Sequence, residues 1–249
     1  MVVQAKPAVS RDRYHQYTYE GVTYPGVTGI IKILDKSDVL MNWAARQTAE
    51  AAINLAPNIP ALLATSGKEG VVKLFTARSS WKNEQAKLKG TEVHAIADLV
   101  VNGKPTGDLI TDAARPLVDH YVDWWQRSGW KIRLSEAYVI DRELGYGGTF
   151  DLLAYDMEGE TVLADVKTGS GVFIETILQL AAYGMAELVN PVGSELTYPM
   201  PRIDRHVVLH VSETGVREIE LEVSQSDREA FGAALVLSRW RKSHKENRL

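Results

Sequence analysis

Two aspartates and a lysine have the types and the spacing of a catalytic metal site. Residues 149–155 and 161–167 have the length and composition of two consecutive strands joined by a short polar turn. Because side chains alternate along a strand, Asp165 and Lys167 share one face. Asp151 lies opposite Asp165 or one step from it, so the two carboxylates come close enough to share a cation. A hard ion such as Mg²⁺ relieves their repulsion and presents a water to a bound phosphate.

Lys167 completes this chemistry, because an ammonium can orient or deprotonate the water or offset charge in the transition state. Asp-x-Lys also occurs by chance, and a solvated ion pair on a strand is the usual explanation for it. Here the pair interrupts an otherwise apolar strand, and Asp151 follows Gly147 and Gly148 on the strand before. This context favours a functional site.

The periodicity of the chain changes once, near residue 130. Before it we predict a small hairpin at 14–24 and then helices, which begin after Thr28, at 37 or 38, after 60, after 67, at 79 or 80, and at 112. After it we predict strands at 134–140, 149–155, 161–167, 205–211 and 216–223, with helices at 174–189 and 226–242. The chain is thus predicted to be one domain (1–249), with a mainly helical part (1–129) and a β-sheet core with a C-terminal helix (130–249).

Composition excludes several classes of protein. The 249 residues are 45% hydrophobic and 24% charged, as in globular proteins, and there is no cysteine for a thiolate zinc site, a nucleophile or an iron–sulfur cluster. The net charge of −4 argues against coating nucleic acid by charge alone. The sequence contains no glycine-rich phosphate loop, so we expect no nucleotide cofactor. The sequence has no apolar stretch of the kind that forms a signal peptide or spans a membrane. We therefore expect a cytoplasmic protein, located in the host cytoplasm if a phage encodes it.

Several candidate motifs follow one another along the chain: Gly90-x-x-x-His94, then Glu136, Gly148-x-x-Asp151, Asp165-x-Lys167-Thr168 and Gln179-x-x-x-Tyr183. This set resembles the PD-(D/E)XK nuclease superfamily, and most closely its RecB-like exonuclease branch, including the bacteriophage-encoded members. The matched features span about residues 90 to 183. Many relatives hold an iron–sulfur cluster on four cysteines, so a chain without cysteine resembles the branch members that lack the cluster.

The resemblance implies an α/β fold with a restriction-endonuclease-like core, in which a central mixed β-sheet is flanked by helices and preceded by a helical N-terminal part. It implies one or two Mg²⁺ or Mn²⁺ ions, with metal ligands from His94, Asp151, Asp165 and the Val166 carbonyl. It implies Asp151, Asp165, Lys167 and Glu136 as the catalytic residues. For the last of these, Glu143 or an ordinary glutamate on the strand surface explains the position equally well.

DNA contacts are expected from two groups of residues. The resemblance implies that Gln179 and Tyr183, which share a helix face, line a DNA channel or brace the site, although such a pair also occurs at the edge of a buried helix. The basic residues of two helices, Lys87, Lys89, Arg239, Arg241 and Lys242, would hold the phosphate backbone, with Trp240 able to stack on a base. Solvated helix ends are the other interpretation of these charges.

Together these features predict a metal-dependent DNA nuclease, with exonuclease activity by analogy to the family. Such an enzyme would act in phage or bacterial recombination, replication or repair, beside a helicase, a single-strand annealing protein or another recombination partner. A nuclease-fold protein that binds DNA or a host protein without cutting is the first alternative. An unrelated globular protein with coincidental motifs is the second.

Overall fold

A computed structural model describes residues 8–34, 37–104, 110–168 and 173–246 of the protein. Contacts divide the chain into two compact units, residues 1–33 with 92–249 and residues 34–91. The sequence prediction of one domain stays a prediction. None of the helices within the described ranges has the length and low charge needed to span a membrane.

The N-terminal half contains a small sheet and most of the helical residues. The sheet is antiparallel, in the order β1 (Val9–Arg11), β2 (Gln16–Tyr19) and β3 (Val22–Pro25). The helices are α1 (Val27–Ile31), α2 (Ser37–Leu55), α3 (Ile59–Val101) and α4 (Arg115–Ser128), with a 3-10 turn at Ala56–Asn58. The predicted hairpin at 14–24 is therefore confirmed as β2 and β3.

A seven-stranded mixed sheet forms the centre of the larger unit. Its strands are β4 (Lys131–Asp141), β5 (Tyr146–Tyr155), β6 (Thr161–Lys167), β7 (Leu188–Asn190), β8 (Tyr198–Pro199), β9 (Arg205–Ser212) and β10 (Gly215–Glu220), in the order β10-β9-β6-β5-β4-β7-β8. Two more helices follow β6 and β10, namely α5 (Ile174–Gly184) and α6 (Gln225–Glu246). Strands β6 and β9 pair in parallel and the other neighbours are antiparallel. The predicted mixed sheet flanked by helices is confirmed at this level.

Helices pack against the sheet and bury its apolar side chains. The end of α3 and α4 pack on β5, β6 and β9, where Tyr121 and Val118 join Leu152 and Val166 in one buried cluster. Gly129 ends α4 with a left-handed φ of 68°, which a glycine adopts without strain. A further layer comes from α5 and α6, which pack against each other. There the ring of Tyr146 meets that of Phe231 edge to face at 5.0 Å.

Two sequence predictions on the helices are wrong. The predicted helix at 174–189 ends at Gly184, because residues 188–190 pair with β4 as strand β7. The short apolar run before residue 190 suits a helix or a strand, and the available edge of β4 decides between them. The predicted helix start at 79 or 80 is absent, since the backbone is helical there; the predicted start after 67 is confirmed, because Gly67 (φ 64°, ψ 176°) is non-helical and divides α3 (Ile59–Val101) into two helices.

We predict that His206 makes the protein acid-labile. Its side chain is buried on β9, and burial together with the charge of Arg228 lowers the pKa of His206 to about 4. The unfolded chain, with an imidazole pKa of about 6.5, therefore takes up this proton first as the pH falls. Between pH 7 and 4 the free energy of unfolding should fall by about 3 kcal/mol more than in His206→Gln. Denaturant titration at several pH values measures this, with the exposed His244→Gln as control. Parallel curves for wild type and His206→Gln would contradict it.

Candidate metal centre

Three elements of the larger unit bring an imidazole and two carboxylates together. His94 is on α3, Glu136 on β4 and Asp151 on β5, and one ligand atom from each lies within 4.8 Å of the others. All three side chains are half-buried. Imidazole nitrogen and carboxylate oxygen suit a divalent cation such as Mn²⁺ or Mg²⁺.

His94 reaches the sheet because its neighbours on α3 are buried against the same strands. Val93 and Ile96 belong to the apolar cluster that covers β5 and β6. This packing fixes the rotation of the helix about its axis, so that Nδ1 of His94 lies 3.4 Å from Oδ2 of Asp151. The histidine is thus held at the sheet by apolar packing of its own helix.

Glu136 has an unusual backbone conformation within β4. Its φ is +48°, in the left-handed region that costs a side-chain-bearing residue about 1 to 3 kcal/mol. The residues on either side, Ser135 and Ala137, pair with Leu152 and Phe150 of β5. Glu136 therefore lies across from Asp151, and the strain coincides with the convergence of the two carboxylates. Strain of this kind is concentrated at functional sites.

The β5–β6 register places the two aspartates opposite each other. Leu152 pairs with Ala164, so the next step along the ladder sets Asp151 against Asp165. Oδ2 of Asp151 accepts a hydrogen bond of 2.6 Å from the N–H of Val166. The resemblance implied a ligand role for the Val166 carbonyl, and that role stays a prediction.

Asp165 is the most buried carboxylate of the centre, with 2% of its side chain exposed. Nζ of Lys167 lies 2.6 Å from its Oδ2, which confirms that the two side chains share a face of β6. The contact is a charge-assisted ion pair, and among the described residues no group other than the Lys167 ammonium donates to this oxygen. Asp165 is not part of the three-residue group formed with His94, but its buried carboxylate lies close enough to raise the pKa of His94 by its charge.

The charges of the centre perturb one another strongly. Burial, and next the charge of Asp151, raise the pKa of Glu136 to about 7 and that of Asp165 to about 6. Burial opposes the charged form of His94, but Asp151 and Asp165 outweigh it and raise the pKa of His94 to about 9. Burial likewise acts to raise the pKa of Asp151, yet His94 and Lys167 lower it. The carboxylates therefore outnumber the cations that stabilise them, and a divalent cation would restore the balance.

Gln179 and Tyr183 lie beside this centre on α5. Nε2 of Gln179 donates to the Tyr183 hydroxyl at 2.9 Å. Tyr183 is buried, and its ring packs so close to β5 that a Cβ added at Gly148 would lie 2.5 Å from it. Burial raises the pKa of Tyr183 well above its usual value, and Asp165 adds to the shift. Tyr183 thus packs against β5 at Gly148, while its bracing of the centre and DNA contact through the half-buried Gln179 stay predictions.

The basic residues are in two places. Arg239, Arg241 and Lys242 are exposed on α6, within the larger unit. Lys87 and Lys89 belong to α3, but their side chains lie outside the described residues. Contact between these five side chains and DNA stays a prediction.

An acidic residue of α3, Asp98, was missed by the sequence analysis. Asp98 lies one helical turn after His94, and Ser135 on β4 donates a hydrogen bond to its Oδ1. Nδ2 of Asn102 donates to the same oxygen at 2.9 Å and to Ser135 Oγ at 2.8 Å. This network ties α3 to β4 beside Glu136. The i, i+4 spacing from His94 was the available signal for it.

The small N-terminal sheet also approaches the centre, which the sequence did not indicate. The Tyr17 hydroxyl hydrogen-bonds to Oγ1 of Thr149 at 2.8 Å, and Nη1 of Arg11 donates to the same oxygen at 3.3 Å. Thr149 is two residues before Asp151 on β5. The charge of Arg11 is close enough to act against the rise in the pKa of Glu136.

Comparison with known proteins gives no family assignment. No family model matches the chain, and no curated protein matches it at a significant score. Among solved structures, the crystal structure of SSO0001 is similar over 61% of this chain and 72% of its own, with 10% sequence identity and a TM-score of 0.32. A TM-score this low carries no argument about fold or function.

We predict that Glu136→Gln stabilises the metal-free protein and removes its response to metal. The substitution eliminates one of two half-buried carboxylates that repel each other, so the free energy of unfolding should rise by about 1 to 2 kcal/mol at pH 8. Mn²⁺ at about 100 times its Kd should stabilise the wild type by about 2 to 3 kcal/mol and the variant much less. Denaturant unfolding with chelator and with Mn²⁺ measures both effects.

Glu143→Gln is the matched control, because Glu143 is an exposed glutamate in the turn after β4. It should leave both unfolding curves unchanged. An equal Mn²⁺ response in wild type and Glu136→Gln would contradict the assignment of Glu136 to the metal centre.

Proposed function

We propose that the protein is a metal-dependent nuclease that hydrolyses phosphodiester bonds in DNA, of the RecB-like PD-(D/E)XK type. The observation that carries the proposal is the convergence of His94, Glu136 and Asp151 within 4.8 Å, next to a buried Asp165 whose Oδ2 meets only the ammonium of Lys167. Structural carboxylates seldom gather in this way without a cation, because burial and mutual repulsion both oppose it. The donor set of oxygen and imidazole fits Mg²⁺ or Mn²⁺.

Each residue has a role in this proposal. His94, Glu136 and Asp151, with Asp165 beside them, would hold a divalent cation, which would supply neutralisation of phosphate charge and a lowered pKa for water. Hydrolysis forms a bond from the water oxygen to phosphorus and breaks one ester bond, with a proton lost by the water and another gained by the leaving oxygen. Lys167, held 2.6 Å from Asp165, orients the water or offsets the charge that accumulates on the phosphate. Glu136 adds a carboxylate on the opposite side of Asp151 from Val166.

Neighbouring residues hold these groups in place through hydrogen bonds and packing. The Val166 N–H fixes one oxygen of Asp151, the Asp98–Ser135–Asn102 network fixes α3 against β4, and Tyr183 fills the space left by Gly148. Reactive groups need positions within about 0.5 Å, which rigid elements provide better than loops. Every proposed ligand side chain here is on a helix or a strand.

We predict that Lys167→Gln abolishes most DNA hydrolysis. Loss of the ammonium removes charge stabilisation from the transition state, so the rate should fall by about 10² to 10⁴. Degradation of labelled linear DNA with Mg²⁺ or Mn²⁺ measures the rate, and a chelator should stop it in the wild type. Lys131→Gln, which removes an exposed lysine at the start of β4, is the matched control and should retain full activity. Metal-stimulated hydrolysis that survives Lys167→Gln would contradict the role of Lys167.

Linear and covalently closed DNA should behave differently. We predict that the protein degrades linear DNA from its ends and leaves closed circles intact under the same conditions, since the RecB-like branch implies an exonuclease. Gel analysis of both substrates over time measures this, with RNA of the same sequence in parallel. Nicked or linearised circles would identify an endonuclease instead. Failure of the folded wild type to cut any substrate while it binds DNA would favour the non-cutting DNA-binding protein.

A further inference from the structure

A groove on the larger unit is lined by cations from two elements of the fold. It has a volume of about 470 Å³ and lies among the β2–β3 hairpin, α1 and the last turns of α6. Lys32, Arg239 and Lys242 line it, and all three side chains are exposed. We call it the basic groove.

The basic groove contrasts with the charge of the whole chain. The chain carries a net charge of −4, yet within the described residues no carboxylate lines this groove. The neighbouring acid, Asp12, is occupied by the backbone, because its Oδ1 accepts hydrogen bonds from the N–H groups of Tyr14 and Gln16 at 2.8 Å each. Within the described chain, Lys32 and Lys242 make no ion pair with an acidic side chain. The groove is therefore a local positive surface on an acidic protein.

Arg239 is held in place before any ligand arrives. Its Nη2 donates to the carbonyl oxygens of Leu144 and Gly145, the latter at 2.9 Å. Gly145 has a φ of +74°, and a Cβ there would lie 2.6 Å from Nη2. A glycine is therefore required at this position for the guanidinium to dock on the backbone. A fixed guanidinium loses less side-chain entropy on binding an anion than a mobile one.

An aromatic ring stands at the edge of the same groove. Tyr14 lines it and is 66% exposed, and the Arg13 guanidinium lies over one face of its ring, 4.7 Å from the centroid, which leaves the other face for a base. Proteins bind single-stranded nucleic acid with this combination of exposed aromatic rings and cations, because the cations contact phosphates and a base stacks on the ring. The polar side chains of Gln16, Thr23 and Thr28, which also line the groove, offer further hydrogen bonds.

We propose that the basic groove binds the sugar-phosphate backbone of single-stranded nucleic acid, with a base stacked on Tyr14. The site is separate from the proposed reaction, and its lining includes none of the residues of the metal centre. It is connected to that centre through β5, because Gly26 of the groove bridges to Gly147 and Asp151 follows four residues later, roughly 13 Å along the strand.

The test is binding of a fluorescent oligothymidylate, measured by anisotropy with chelator present, so that failure of the nuclease proposal leaves this result unaffected. The double variant Lys32→Gln/Lys242→Gln should bind about tenfold more weakly at low salt, and the slope of log K against log salt should fall by about 1.4. The matched control Lys68→Gln/Lys131→Gln removes two exposed lysines outside the groove and should bind like the wild type.

Two further measurements identify the ligand. Tyr14→Phe should retain affinity and Tyr14→Ala should lose about fivefold or more, because stacking needs the ring and not the hydroxyl. Unlabelled oligonucleotide should displace the probe at far lower phosphate concentration than inorganic phosphate or thymidine monophosphate does. Equal loss in both double variants, or equal competition by inorganic phosphate, would overturn the proposal.

Discussion

The candidate centre depends on the contacts that the carboxylate of Asp151 makes with three other elements of the fold. It accepts a hydrogen bond from the Val166 N–H of β6, lies 3.4 Å from His94 of α3 and is opposite Glu136 on the neighbouring strand β4. These contacts come from separate segments of the chain, so the centre exists only when α3 packs on the sheet and β6 pairs in its observed register. Burial makes each of these charges expensive, and their mutual positions decide which remain ionised.

Two residues show where bringing these charges together is unfavourable for the folded protein. Glu136 is held at a positive φ, and Asp165 is a carboxylate with only 2% of its side chain exposed, which Lys167 neutralises. The surrounding layers are well packed, with Val93, Ile96 and Tyr121 buried over β5 and β6. A dense apolar core can hold a strained residue, because relaxation would open a cavity that costs more than the strain. Local strain beside a rigid core is a common property of sites that bind or react.

The N-terminal sheet and α6 contribute a different kind of surface. Arg11 and Tyr17 meet β5 at Thr149, while Gly26 bridges to Gly147 a few ångströms further along the same strand. Strand β5 therefore connects the metal centre, the N-terminal sheet and the basic groove.

The sequence determined the elements whose signal is local. Strand β6 has the predicted bounds, and the alternation of its side chains sufficed to pair Asp165 with Lys167. Gly148 and Tyr183 were visible as motif residues, but only packing showed that one makes room for the other. Tertiary structure alone decided the convergence of His94 on Asp151, the conversion of residues 188–190 from predicted helix to strand, and the role of Asp98. Each of these depends on contacts between segments far apart in the chain, and periodicity within a segment carries no information about which distant surface it will meet.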